Sequence, residues 1–198
     1  MRRNRPCSSA AFLFVPALLG GLLLPSAARA ADETIKHVGE HPAYNVEIEP
    51  QVLLSWDDVY GDVGFGAGAR FAIPIVDNGF IPKINNSVAI GFGIDFLHYD
   101  GCWWGGDCSA NYIQVPVVLQ WNFYVAQRWS VFGEPGLFFF HGFLSGCPND
   151  GRRCPGEPRV TSVDPAFYVG ARYYINDKMT VTMRVGFPSF SVGLSFFP

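Results

Sequence analysis

The chain has 198 residues, the size of one modest domain, and a formal net charge of −3 at pH 7. Four of its fourteen basic residues (Arg2, Arg3, Arg5, Arg29) lie in the first thirty positions, which hold no acidic residue. The rest is more acidic still and has no basic cluster, which excludes the nucleic-acid binders. Aromatic residues make up 16%, as many as all charged residues together, and there are 22 glycines, a composition odd for a water-soluble domain.

Arg2, Arg3 and Arg5 stand before an apolar run from Ala11 to Leu24, and Ala28-Arg29-Ala30 follows it. This layout predicts a secretory signal peptide over residues 1–30, cleaved before Ala31. The run is short for a spanning helix and is interrupted by Pro16 and Gly20-Gly21. Cys7 lies before the run and leaves with the signal. Residues 31–43 are polar and aperiodic, and read as a loose lead-in. His37 and His41 there have the spacing of one helix face, with Glu33 and Glu40 near, but no metal site is assigned to them. Residues 44–198 form the folded domain.

From Tyr44 the apolar residues alternate with small or polar ones in eight runs of about ten residues. Val46, Ile48, Val52, Leu54 and Trp56 oppose Glu47, Glu49 and Gln51. Phe65 to Ile73 opposes Gly64, Gly66, Gly68 and Arg70. Val88 to Phe96 opposes Gly91, Gly93 and Asp95, and Ile113 to Phe123 opposes Gln114, Gln120 and Asn122. The fifth run sets Val131, Leu137 and Phe139 against Glu134 and Gly136, although Phe132, Phe138 and Phe140 fall on the polar parity. The sixth opposes Val163, Phe167, Val169 and Tyr173 to Asp164, Gly170 and Arg172. The seventh opposes Val181 to Phe187 to Thr180, Thr182, Arg184 and Gly186. The last opposes Phe190, Val192, Leu194 and Phe196 to Ser191, Gly193 and Ser195.

No window after residue 30 suits a transmembrane helix, so a membrane form must be a closed barrel, with no unpaired backbone in lipid. The polar parity is glycine, alanine and serine with isolated charges, which suits a crowded lumen; a solvated face would gain nothing from glycine. The bulky parity then faces lipid, and aromatics at run ends (Tyr44, Trp56, Tyr60, Trp121, Phe123, Trp129, Tyr173, Phe187, Phe190) form interfacial girdles. Pro50, Pro74, Pro116, Pro135 and Pro165 conflict with this, because each removes a ladder donor and a barrel has no edge strand.

An even strand count puts both termini on one side. The connections Asp100–Asn111 and His141–Thr161 then share the other side, and hold Cys102, Cys108, Cys147 and Cys154. Four cysteines in an exported chain read as disulfides, with Cys102–Cys108 and Cys147–Cys154 favoured among three possible pairings; zinc is the weaker reading, having neither metal-finger spacing nor a histidine partner. The opposite turn, Asp77 to Asn86, is longer than expected.

The stretches Ala166 to Tyr174, Thr180 to Gly186 and Ser191 to Phe197 resemble the last strands of small bacterial outer-membrane barrels of the OmpA, OmpX and OmpW type. The likeness covers roughly residues 44 to 197. It implies an all-β, eight-stranded antiparallel up-and-down barrel in the outer membrane, with termini in the periplasm. Ser191, Gly193 and Phe196 match the C-terminal signal by which that group engages the barrel assembly machinery; the final aromatic position is Pro198 here.

Within such a barrel Glu47, Glu49, Arg70, Asp95, Glu134, Arg172 and Arg184 project into the middle and lower lumen. Buried charges persist when paired, so a salt-bridge network plugging the lumen is expected, as in the OmpA-like barrels. The expected role is structural or surface-interacting, with a narrow solute channel as the alternative and a lipid A-modifying enzyme third. His141, Ser145 and Asp150 do not reproduce a deacylase motif, so no catalytic residue and no cofactor is assigned. Trp103 and Trp104 on the first cysteine loop, and Arg152, Arg153 and Arg159 on the second, are contact candidates for outer-membrane lipid and lipopolysaccharide phosphates.

Overall fold

The computed structural model describes residues 34–56, 63–103, 106–145 and 161–198, the side chains of 100–110 and 143–145 excepted. Eight strands follow in order: β1 Glu47–Ser55, β2 Gly64–Val76, β3 Asn86–Trp103, β4 Gly106–Ala126, β5 Trp129–Ser145, β6 Thr161–Asn176, β7 Met179–Phe187 and β8 Ser189–Phe196. Each pairs antiparallel with the next, and β8 closes on β1. The chain is an eight-stranded up-and-down β-barrel.

The alternation in the sequence decides which side is enclosed. Along β1 the polar Glu47, Glu49 and Gln51 are buried while Ile48, Val52 and Leu54 are exposed; Gln51 is 4% accessible and Val52 63%. That is the reverse of a water-soluble protein, where such a face of large aliphatics would be covered. The apolar wall faces outward, to lipid.

Followed from Leu54 through Phe190, Val185, Val169, Gly133, Trp121, Val88 and Val76, the pairing returns below Glu47, roughly ten residues short of its start. This stagger tilts eight strands by about 40° and leaves a lumen that side chains can fill. At that tilt the outward residues of β4 from Ile113 to Phe123 span about 25 Å, the height of an apolar membrane belt. Trp121 against Phe123 and Trp129 against Tyr173, both at 5.0 Å, mark its lower rim. At its upper rim outward polar pairs appear: His98 with Asn111 and His141 with Thr161, both at 2.8 Å.

β4 has 21 residues and β8 only 8, so the wall is lopsided. The expected loop Asp100–Asn111 is instead a continuation of the β3–β4 ribbon, paired as far as Trp103↔Gly106. Its turn chemistry was overruled by ladder pairing that continues above the belt. Likewise β5 runs past His141 to Ser145.

The prolines are accommodated without an edge. On β1–β8 the register passes from Ile48↔Phe196 to Gln51↔Gly193, leaving Pro50 unpaired on that side. On β3–β4 it passes from Phe92↔Val117 to Asp95↔Gln114 across Pro116, and on β4–β5 from Val118↔Gly136 to Trp121↔Gly133 across Pro135. Pro74 sits at a bulge against β3, and Pro165 lies on β6 beyond the last β6–β7 pair, Phe167↔Phe187. At Pro50, Pro116, Pro135 and Pro165 the missing donor meets a gap in, or the end of, one ladder while the other neighbour keeps its pairing; Pro74 lies beyond the last β1–β2 pair, Glu47↔Ala72, and keeps only its pairing with Ala89.

Candidate functional site

The lumen is the site this fold builds, and it has three levels. At the lower and middle level, successive strands deliver alternate polar side chains to the axis. Arg172 (β6) donates through Nε and Nη2 to both oxygens of Glu47 (β1), at 3.1 and 2.8 Å, and through Nη1 to Asn122 (β4) at 2.6 Å. Arg184 (β7) makes the same two-point contact with Glu49, at 2.8 and 2.9 Å, and donates from Nε to Glu134 (β5) at 2.8 Å. Arg70 (β2) pairs with Asp95 (β3) at 2.8 Å.

Uncharged amides connect these pairs. Gln51 donates to Asp95 at 2.7 Å and accepts from Arg184 at 3.1 Å, and Gln120 donates to Glu134 at 2.8 Å. Phe132 lies under two cations, with Arg172 at 4.4 Å and Arg184 at 5.2 Å from its ring centre. None of the seven charged residues is more than 6% accessible. The Arg172 and Arg184 guanidinium forks match Glu47 and Glu49 at two points each, which is how those pairs meet the cost of leaving water.

Glycine on neighbouring strands makes the room. A Cβ at Gly193 would stand 2.6 Å from Glu49 Oε1, and one at Gly93 would stand 2.6 Å from Arg70 Cδ.

The upper level is aromatic. Leu53, Leu97, Tyr99 and Tyr112 form one buried cluster and Val118, Phe138, Ala166 and Tyr168 another, joined by Phe140. Tyr99 meets Tyr112 edge-on at 5.3 Å, and Arg70 lies 5.4 Å from the Tyr168 ring centre, where the two levels touch. Phe132, Phe138 and Phe140 thus broke the alternation because they fill the lumen rather than face lipid.

The third level is the mouth at the lower end of the barrel. Residues 34–43, within the lead-in expected to be loose, instead pack across it. Asn85 is fully buried: its amide N–H donates to Ile35 O at 2.7 Å, and Nδ2 donates to Thr34 O and Glu40 O at 3.3 and 3.1 Å. His41 Nδ1 lies 2.7 Å from Asn85 Oδ1, and its ring stacks on Tyr124 at 4.4 Å and 5°. The long Asp77–Asn86 turn is long because it receives this segment. Tyr44, assigned from sequence to a girdle, turns inward against Phe197 at 4.8 Å and joins Tyr124 and Tyr174. Burial, with Glu47 beside it, pushes its hydroxyl pKa above the ordinary tyrosine value. A cleft of about 560 Å³ remains between segment and mouth, bordered by His37, Glu40, Gln127 and Tyr174.

The structure brings Glu47, Glu49, Arg70, Asp95, Glu134, Arg172 and Arg184 together in the lumen. Sequence reasoning placed Gln51, Gln120 and Asn122 on the same face without giving them a part; their shared parity and height with the charges were the available signal. The side chains of Cys102, Cys108 and Trp103, and the whole of Trp104, Cys147, Arg152, Arg153, Cys154 and Arg159, lie outside the described residues, as do the Ser145 side chain and Asp150. His141 is bonded to Thr161, and among the described residues no group of three or more histidine, cysteine or carboxylate side chains could hold a metal ion.

No protein-family model matches the sequence, and no curated protein does. Solved structures do share the fold. OprG, an outer membrane protein of Pseudomonas aeruginosa, aligns at 14% identity over 82% of this chain and 94% of its own, with a TM-score of 0.50. Neisserial surface protein A aligns at 12% identity over 77% and 96%, with a TM-score of 0.48. Ail, the attachment invasion locus protein of Yersinia pestis, solved in complex with the heparin analogue sucrose octasulfate, aligns at 11% over 76% and 95%, with a TM-score of 0.47. Closed eight-strand pairing, an apolar outer wall and the likeness to OprG agree: the chain has the fold of a small bacterial outer-membrane β-barrel.

Proposed function

We propose that this barrel is a sealed structural or surface-interaction protein of the outer membrane rather than a conduit. The observation that carries the reading is the network of seven buried charges, all of them paired, with Arg172 and Arg184 reaching carboxylates on non-adjacent strands, beneath a layer of packed aromatic rings. A water path would have to separate forked ion pairs buried from solvent and also part the Tyr99–Tyr112–Phe140 layer, and each step is costly.

On this reading the working surface is external. The β3–β4 ribbon rises beyond the apolar belt as far as Trp103, which Trp104 follows in sequence. Its partners are lipid and lipopolysaccharide phosphates, met by those tryptophans and by Arg152 and Arg153. The barrel has no catalytic role or cofactor, and reaches the membrane through the assembly machinery, which engages β8.

Single-channel recording of the purified protein in planar bilayers tests the sealed state: the current is expected to stay at the leak of the bare membrane. Stable conductance steps would make it a channel. Mass spectrometry of lipid A from cells with and without the protein is expected to show identical acylation, and a protein-dependent loss or gain of an acyl chain would make it an enzyme.

A further inference from the structure

The periplasmic mouth shows a feature that the sealed-lumen reading does not need. One side chain, Asn85, bonds three residues of the 34–44 segment at once: Thr34, Glu40 and His41. The face of Tyr124 on which His41 stacks belongs to a ring whose hydroxyl bonds Ser87 Oγ at 2.9 Å. Ser87 Oγ accepts from Asn122 Nδ2 at 3.3 Å, and Asn122 Oδ1 accepts from Arg172 at 2.6 Å. The Asn85 carbonyl also accepts the Tyr124 amide, at 3.1 Å. An unbroken series of contacts therefore leads from the N-terminal segment to the Arg172–Glu47 pair.

We propose that residues 34–44 are a strap closing the periplasmic mouth, latched by Asn85 and His41 and linked through Tyr124, Ser87 and Asn122 to Arg172–Glu47. With the strap seated, the lower end of the charged network is shielded from the periplasm. With it released, water reaches Arg172 first, since that pair is the level next to the mouth, while Arg184, bonded higher to Glu49 and Glu134, stays shielded. The cleft already present beside the segment is where release begins: His37 and Glu40, which border it, are bonded to each other at 3.0 Å, and both stay more than half exposed. The device is separate from conduction, because the aromatic level above is untouched by it.

The test is solvent exchange of arginine Nε–H protons, followed by NMR on the full mature chain in lipid nanodiscs. Asn85→Ala and His41→Ala are expected to free the strap backbone and to speed exchange at Arg172 by about tenfold or more, with much less change at Arg184. His41 lies outside every strand, so its replacement leaves the barrel's pairing intact if Asn85→Ala does not fold. Tyr124→Phe keeps the ring under His41 but removes the hydroxyl; the strap is expected to stay seated while Arg172 alone exchanges faster. Unchanged Arg172 exchange with a freed strap would show that the segment covers nothing. Equal acceleration at Arg172 and Arg184 would mean general loosening, and a strap that stays ordered in both Asn85→Ala and His41→Ala would remove the latch; either result overturns the proposal.

Discussion

Arg172 and Glu47 lie 125 positions apart in the sequence and meet in a forked ion pair, Nε to Oε1 at 3.1 Å and Nη2 to Oε2 at 2.8 Å. The pair joins β6 to β1 across the lumen, so it can form only once the barrel has closed.

Removing one partner leaves the other charged and enclosed. Arg172→Ala is expected to destabilise the barrel by about 3–5 kcal/mol, read by urea unfolding in lipid vesicles. The double variant Arg172→Met with Glu47→Gln removes both charges and is expected to lose much less. A double variant as unstable as the single one would show that packing, not charge pairing, sets the cost.

Glycine makes room for this network, so adding a methyl group should be felt. Gly193→Ala drives a Cβ into the Glu49 carboxylate and is expected to cost about 1–3 kcal/mol. Gly133, whose added Cβ would meet nothing, is the control, and Gly133→Ala is expected to be close to neutral in the same assay.

The outer wall should respond to charge according to height. Val117, outward at mid-belt on β4, is 43% exposed. Val117→Arg is expected to cost about 2–4 kcal/mol in vesicles, whereas Asn111→Arg, at the level of the polar pairs, is expected to cost at most about 1 kcal/mol. Equal costs at both positions would contradict the placement of the belt.

The aromatic level should behave as packed core. Phe138 is 1% accessible, and Phe138→Ala is expected to cost about 3–5 kcal/mol through the cavity it leaves. Phe139, next in sequence but 45% exposed on the lipid face, is expected to lose much less on the same truncation.

Tyr44 gives the mouth an alkaline limit. Burial raises its hydroxyl pKa in the folded state, so the folded form holds its proton more tightly than the unfolded one. The stabilisation is whole below the unfolded value near 10 and fades as pH rises above it. Thermal unfolding of wild type between pH 9 and about 11 is expected to fall more steeply than that of Tyr44→Phe.

Period-two alternation from Tyr44 onward, with glycine on the polar parity, made the eight strands, their faces and the inward charges legible from local sequence alone. Side-chain direction repeats every two residues, and lipid tolerates no open edge, so those two constraints leave few folds for such a pattern. Three aromatic residues on the wrong parity, five prolines inside strands and a polar lead-in could not be resolved the same way. Phe138 needed the lumen's upper half to be known as apolar, and Pro50, Pro116 and Pro135 needed the two ladders on either side of each strand. The lead-in needed Asn85 and Tyr124, which reach it only after closure. The chain's own pattern determined which way each residue points. Tertiary structure decided which residues share a height, because that depends on the stagger accumulated around the closed barrel, and no single strand carries it.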